Sequence, residues 1–138
     1  MKTRFSLLLA FGLTLTACGT SSSAFTPLPS GAEPPADCAR ADADHVIAIS
    51  ANNLRLSAPC MVAPAGVAFV VRFTNNETMP HNLTIYETPS KSRKIKEGET
   101  FSGPEVTKDY PIDALTAGDY YFDCTIHPAD MNGTLYVR

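Results

Sequence analysis

Three side chains near the end of the chain could together bind a soft metal ion. Cys124, His127 and Met131 supply a thiol, an imidazole and a thioether within the stretch YYFDCTIHPADMNGTLYV, residues 120–137. Thiolate and thioether sulfur favour copper among the first-row metals, and imidazole suits both copper and zinc. The pattern predicts a metal site in a short turn between two strand-like runs.

A further donor must come from elsewhere in the chain. The sequence contains three histidines, at positions 45, 81 and 127. His81 stands in TMPHNLTIY, just before a strand-like run and with Asn82 beside it. His45 opens another strand-like run without an accompanying motif, so we interpret it as a surface residue. His81 is therefore the candidate for the missing ligand.

Each candidate ligand also has an interpretation that involves no metal. Cys124 could be a buried structural thiol, because free cysteine is often buried. His81 alone could be a loop residue, and Met131 alone could fill the core. Zinc is the alternative metal, but a thioether is a poor zinc ligand. The Cys-x-x-His spacing, combined with a distant Pro-His-Asn, favours copper.

The N-terminus predicts an export signal. Two basic residues precede an apolar run over residues 5–15, which is short for a membrane span and is followed by small residues. Residues 15–18, LTAC, resemble a bacterial lipobox, so we expect a signal peptide over 1–17 and a lipid on Cys18. Gly19 indicates sorting to the outer membrane by the same resemblance. The alternative is an ordinary signal peptide cut nearby, with Cys18 incidental.

Composition divides the rest of the chain into a tether and one domain. Residues 18–36 are rich in Ser, Pro, Gly and Ala, which predicts a flexible tether on the lipidated N-terminus. Residues 37–138 have the size of a normal domain. The net charge of −3 argues against a nucleic-acid partner, because phosphate binding requires a basic patch.

Alternating polarity predicts that the domain is built from strands. Apolar and polar residues alternate with a period of two, which is typical of strands with one buried face. Turn residues separate the runs, so the pattern predicts an antiparallel β-sandwich or barrel. The lysine-rich segment 88–99 is interpreted as a solvated loop, with a docking patch for an acidic partner as the alternative. The runs of alternating apolar and polar residues that predict strands are 45–51, 54–56, 67–73, 83–86, 120–124 and 134–138.

The four cysteines are at positions 18, 38, 60 and 124. An exported chain lies in an oxidising compartment, where disulfides persist. With Cys18 lipidated, Cys38 and Cys60 are the natural pair, and Cys124 remains as a single thiol that a metal would protect. Pairing of Cys124 with either of the other two is the alternative, and it would abolish the metal site.

The domain resembles a cupredoxin over residues 37–138. The matching segments are PHN at 80–82, AGDYYFDC at 117–124, HP at 127–128, then Met131 and Gly133, together with ISANNLRLSAPCMVAPAG at 49–66. This resemblance implies an all-β fold, an antiparallel Greek-key β-sandwich.

The resemblance also implies a role for each residue of the site. His81, Cys124 and His127 would bind one copper ion in a plane, with Met131 as a weak axial ligand, and the ion would alternate between Cu(I) and Cu(II). Asn82 would form a hydrogen bond across to the ligand loop near Thr125, which fixes ligand orientation. Three residues separate His127 from Met131, an interval that varies among cupredoxins and bears on the axial bond.

These features predict a membrane-tethered, mononuclear type 1 copper protein that carries one electron. We expect a monomer in the bacterial cell envelope, facing the periplasm, with redox proteins of the periplasm or respiratory chain as partners. Pro80, Pro128 and Ala129 would surround the electron port. We expect no enzymatic activity, because three histidines cannot also build a catalytic copper site. The alternatives are a carrier that delivers copper to a periplasmic enzyme, with Met61 and Met79 helping, or a metal-free structural sandwich.

Overall fold

The computed structural model describes residues 31–138. The predicted signal peptide, Cys18 and most of the predicted tether therefore lie outside the described residues. Within the described range, no helix has the length and apolar character needed to span a membrane.

Residues 31–138 form strands connected by turns, with no helix among them. In chain order the strands are β1 (Ala39–Arg40), β2 (Val46–Asn52), β3 (Arg55–Leu56), β4 (Cys60–Ala63), β5 (Phe69–Asn75), β6 (Pro80–His81), β7 (Thr84–Tyr86), β8 (Lys94–Glu97), β9 (Phe101–Ser102), β10 (Val106–Ile112), β11 (Gly118–Asp123) and β12 (Asn132–Val137). The predicted all-β fold is confirmed.

Two sheets and a small ribbon organise these strands. The larger sheet has the order β1-β4-β12-β11-β7-β8, the second has the order β10-β5-β2-β3, and β6 pairs with β9. The pairs β1–β4, β4–β12 and β2–β5 are parallel, so the sheets are mixed, whereas the sequence predicted antiparallel ones. The chain crosses between the sheets from β3 to β4 and again from β4 to β5, and such crossovers permit parallel neighbours.

The core is formed by one face of each sheet. In β2 and β5 every second residue is buried, including Ile47, Ile49, Val71 and Phe73. Phe122 of β11 is fully buried in the same cluster. The period-two alternation of the sequence thus places these apolar side chains between the sheets, and their burial favours folding.

Strand β7 is buried on both faces, which simple alternation did not predict. All residues from 81 to 86 are buried. Lys91, in the following loop, places its ammonium group 5.8 Å from the ring centre of Tyr86 and 5.7 Å from that of Tyr121.

The solvated-loop interpretation of 88–99 is wrong in its second half, because residues 94–97 form the edge strand β8. Lysine on an edge strand discourages pairing with another chain.

A disulfide joins the residue before β1 to the first residue of β4. Cys38 and Cys60 are bonded as predicted, and they pack with the buried Tyr136 of β12. Among residues 31–138, Cys124 is the free cysteine, and it is buried. The alternative pairings with Cys124 are absent from this structure.

Candidate metal centre

A short loop between β11 and β12 carries three of the predicted ligands. Cys124 directly follows β11 and is 1% exposed. Its backbone N–H donates to Met131 O at 2.8 Å, and its carbonyl accepts from His127 N at 3.1 Å. Met131 N donates to His127 O at 3.0 Å. These bonds close the loop on itself and fix the relative positions of the three residues.

The second histidine reaches the same point from another part of the fold. His81 ends strand β6 and is completely buried. Its Nδ1 atom lies 3.7 Å from Cys124 Sγ and 3.2 Å from His127 Nδ1. His127 Nδ1 lies 3.9 Å from the same sulfur. Three donor atoms therefore converge on one point.

The separations and chemistry of these donors fit a single metal ion. Zinc, as an example of a transition metal, forms bonds of about 2.0–2.1 Å to imidazole nitrogen and about 2.3 Å to thiolate sulfur. A nitrogen and a sulfur that bind the same ion are therefore at most roughly 4.4 Å apart, the sum of the two bond lengths. Both nitrogen–sulfur separations are below that limit, and the nitrogen–nitrogen separation is below the corresponding limit of roughly 4.2 Å. The fully buried Met131 adds a thioether from the same loop. Two imidazoles, a thiolate and a thioether suit a type 1 copper ion.

Asn82 connects the two halves of the site. Its Nδ2 donates to Thr125 Oγ1 at 2.8 Å, and its Oδ1 accepts from the backbone N–H of Thr125 at 2.9 Å. A further bond of 3.2 Å runs from Nδ2 to Thr100 Oγ1. The contact between Asn82 and Thr125 that the resemblance implied is present. It holds the segment of His81 against the segment of Cys124.

A sequence profile of the cupredoxin-like domain matches residues 8–137. The chain belongs to the cupredoxin-like domain family. No curated protein matches this cupredoxin in sequence.

Solved structures agree with this fold. Dithionite-reduced auracyanin from Roseiflexus castenholzii has a TM-score of 0.62 and 20% identity, and the match covers 70% of this chain and 99% of that one. Auracyanin A, a "blue" copper protein from Chloroflexus aurantiacus, has a TM-score of 0.59 and 23% identity over 67% and 98% of the two chains. A reduced variant of amicyanin has a TM-score of 0.52 and 25% identity over 70% and 86%.

Glu77 is a contributor to the site that the sequence analysis missed. Its Oε1 atom lies 2.8 Å from His81 Nε2 and also accepts from Leu54 N at 3.1 Å. The Leu54 amide and then the His81 imidazole hold the pKa of this carboxyl group below its ordinary value, against the opposing effect of desolvation. A carboxylate often orients a ligating histidine, so its position four residues before His81 was an available signal.

Asp123 is also buried in this cupredoxin, although it follows Phe122 in β11 and so lies on the opposite face of the strand from the core. Its side chain has no exposed area, and Lys91 from the loop after β7 forms an ion pair with it. The hydrogen bond to Asp123 raises the pKa of Lys91. A compensated pair of charges therefore lies beside Cys124, and only the folded chain brings Lys91 to this place.

Several apolar residues next to the candidate ligands in the chain are exposed. His127 is half-buried, whereas Met79 and Ile126 are 40% and 42% exposed. Pro80, Pro128 and Ala129, the residues predicted around an electron port, are also exposed. Met61 is fully buried, which argues against its predicted help in copper delivery.

Proposed function

We propose that this cupredoxin holds one copper ion with His81, Cys124, His127 and Met131 and acts as a one-electron carrier. The observation that supports the proposal most directly is the convergence of three donor atoms with separations of 3.2, 3.7 and 3.9 Å. Bound copper would supply the one-electron chemistry by alternating between Cu(I) and Cu(II). The chain would supply a site whose ligands move little.

The surrounding residues are suited to that task. The buried Cys124 and His81 keep water from the donor atoms, and Asn82 holds the two segments together. Among the four candidate ligands, His127 is half-buried and the other three are buried. We infer no enzymatic reaction, because the three histidines of the sequence cannot also form a catalytic copper site held by three imidazoles.

The apolar surface near His127 would receive a redox partner. Exposed Met79 and Ile126, together with the exposed prolines 80 and 128, provide area that a transient partner could cover. Contiguous apolar patches mark interaction sites in soluble proteins, and these residues flank His81 and His127 in the chain. We infer that the partners are redox proteins of the periplasm or respiratory chain and that the carrier itself is a monomer.

Copper binding and redox activity test the carrier proposal directly. Purified protein loaded with copper should bind one equivalent, show visible absorption and give a reversible voltammetric wave. Cys124→Ala should abolish stoichiometric binding. His45→Asn, which removes an exposed histidine outside the cluster, should leave it unchanged. A colourless, redox-silent complex would contradict the proposal.

Copper delivery is the second candidate function. Exposed Met79 favours it, because this thioether precedes Pro80 and His81 at the surface and could pass Cu(I) to an acceptor. Mixing the loaded protein with a copper-free acceptor distinguishes the two functions. Rapid electron exchange with retained copper supports the carrier, whereas rapid loss of copper supports delivery.

We also infer that a lipid on Cys18 tethers the mature protein to the outer membrane, with the domain facing the periplasm. The support is the LTAC sequence at 15–18 and the following Ser- and Pro-rich segment. The mass of the mature wild-type N-terminus should include acyl chains, and Cys18→Ala should carry none. A water-soluble wild-type protein of unmodified mass would overturn this inference.

A further inference from the structure

The two nitrogens of His81 have different surroundings. Nδ1 is directed at the thiol of Cys124, whereas Nε2 lies 2.8 Å from Glu77 Oε1. A neutral imidazole carries one N–H, and an ionised carboxylate can only accept. The contact with Glu77 therefore favours the proton on Nε2 and leaves the lone pair of Nδ1 free for a metal.

Glu77 is itself held firmly in the segment between β5 and β6. Its backbone N–H donates to Asn75 Oδ1 at 3.0 Å, and its carbonyl accepts from Gly103 N at 3.0 Å. Asn75 is fully buried and donates through Nδ2 to Met79 O at 2.8 Å and to Phe101 O at 3.1 Å. The carboxylate consequently has a defined position, although its side chain is 17% exposed.

The same carboxylate oxygen also contacts the tip of the β2–β3 hairpin. Leu54 N donates to Glu77 Oε1 at 3.1 Å. Asn53 and Leu54 form the tip with φ angles of 52° and 57°, a left-handed turn suited to a short hairpin. One oxygen atom therefore accepts from the hairpin tip and from the buried imidazole of His81.

We propose that Glu77 is a positioning residue that keeps the proton of His81 on Nε2 and couples the copper site to the Leu54 amide of the β2–β3 hairpin. This inference rests on the proposed role of His81 as a copper ligand. A carboxylate partner makes an imidazole a stronger electron donor. The stronger donor stabilises Cu(II) more than Cu(I), because the ion of higher charge gains more from it.

The copper-free, full-length protein provides the first test, because it requires neither metal nor variant. Nitrogen-15 NMR of the imidazoles should show His81 protonated on Nε2. Glu77→Gln should shift the Leu54 amide resonance and reduce the population of that tautomer. Glu87→Gln, which removes the same charge from an exposed residue paired with Arg93, should change neither signal. A wild-type His81 protonated on Nδ1 would overturn the proposal.

The metal-loaded protein provides the second test. Glu77→Gln should lower Cu(II) affinity by roughly 10–100-fold, the usual cost of losing an orienting partner, and Cu(I) affinity by less. Each tenfold difference between the two losses raises the reduction potential by about 59 mV. Glu87→Gln should match the wild type in both affinities and in potential. Equal behaviour of the two variants would overturn the role of Glu77.

A separate NMR measurement tests the coupling between the copper site and the β2–β3 hairpin. Loading the wild-type protein with diamagnetic Cu(I) should shift the Leu54 amide resonance, and Glu77→Gln should remove most of this shift. An amide that does not respond to Cu(I) overturns the coupling. Failure of the wild type to bind copper at all would overturn the proposed function, while the tautomer of His81 in the copper-free protein would still test the positioning role.

Discussion

Asn82 shows how one side chain can hold together segments that are distant in sequence. It is 3% exposed, and its amide group makes hydrogen bonds to both the backbone and the side chain of Thr125. Asn82→Ala should lower the free energy of unfolding by about 1–3 kcal/mol, because buried partners lose their bonds. Urea denaturation of the copper-free protein measures this change. Asn76→Ala, at an exposed position, should lower the free energy of unfolding by less than about 0.5 kcal/mol. Equal losses in the Asn76→Ala and Asn82→Ala variants would contradict the proposed role of the Asn82 hydrogen bonds.

The buried carboxylate of Asp123 makes Lys91 important for stability. Lys91→Met removes the counter-charge while keeping an apolar stem beside Tyr86 and Tyr121. Removing one partner of a buried pair typically costs 3–5 kcal/mol, but Lys91 is 38% exposed, so we expect about 1–3 kcal/mol. Urea denaturation at neutral pH measures the loss.

A second substitution separates this effect of charge from a general loss of packing. Adding Asp123→Asn to Lys91→Met removes the uncompensated charge, so the double variant should be more stable than the single variant. If the double variant is equally unstable, the ion pair is not what stabilises this part of the fold.

At the scale of elements, strand β12 depends on a glycine where it passes close to its neighbours. A Cβ atom at Gly133 would collide with the carbonyl oxygen of Pro59 and the ring of Phe122. Gly133→Ala should therefore destabilise the protein by roughly 1–3 kcal/mol through overpacking. Thermal unfolding of the copper-free protein measures this loss of stability. The matched control is Gly118→Ala in β11, where the nearest atom would be 3.6 Å away and we expect little change.

At the scale of the whole molecule, the disulfide joins two segments at one side of the larger sheet. Cys38 and Cys60 are separated by 22 positions, and a closed loop of this length restricts the unfolded chain. Replacing both cysteines by serine should lower the free energy of unfolding by about 3 kcal/mol. Urea denaturation measures this loss, and copper binding should persist, since Cys124 is not part of the bond. Unchanged stability would contradict this entropic argument.

Burial of tyrosine makes the stability of the domain sensitive to alkaline pH. Burial, followed by the negative charges of Glu99 and Cys124, raises the pKa of Tyr110 above its ordinary value of 10.0. Because the folded pKa exceeds the unfolded one, this stabilisation is complete below about pH 10 and is lost as the pH rises further. The free energy of unfolding, measured in urea between pH 8 and 11, should fall above pH 10.

Tyr110→Phe provides the control for this alkaline effect. The variant loses the hydrogen bond of 2.9 Å to Glu99 O and should be slightly less stable at neutral pH. Above pH 10 its stability should fall less steeply than that of the wild type. A remaining decline is expected, since burial also raises the pKa values of Tyr86 and Tyr121. Identical slopes would show that Tyr110 does not control this dependence.

Several features of the fold and site could be predicted from residue types and spacing alone. The alternation in β2 and β5 predicted strands, because burial of one sheet face leaves a period of two in the sequence. The Cys-x-x-His pattern with a distant His81 predicted which donors would meet, because few residue types bind copper. The pairing of Cys38 with Cys60 followed from setting two other cysteines aside, and the structure contains that bond.

Only the tertiary structure revealed the contacts that support these donors. Glu77 joins His81 to Leu54 because the β2–β3 hairpin tip and the β5–β6 segment lie side by side, and no local pattern records the contact with Leu54. Asp123 is buried because a distant lysine compensates its charge, so burial there depends on a contact between separate segments. The sequence by itself determined the candidate ligands and the strand type, since both depend on residue chemistry and local period. Strand direction and supporting contacts depend on how remote segments pack.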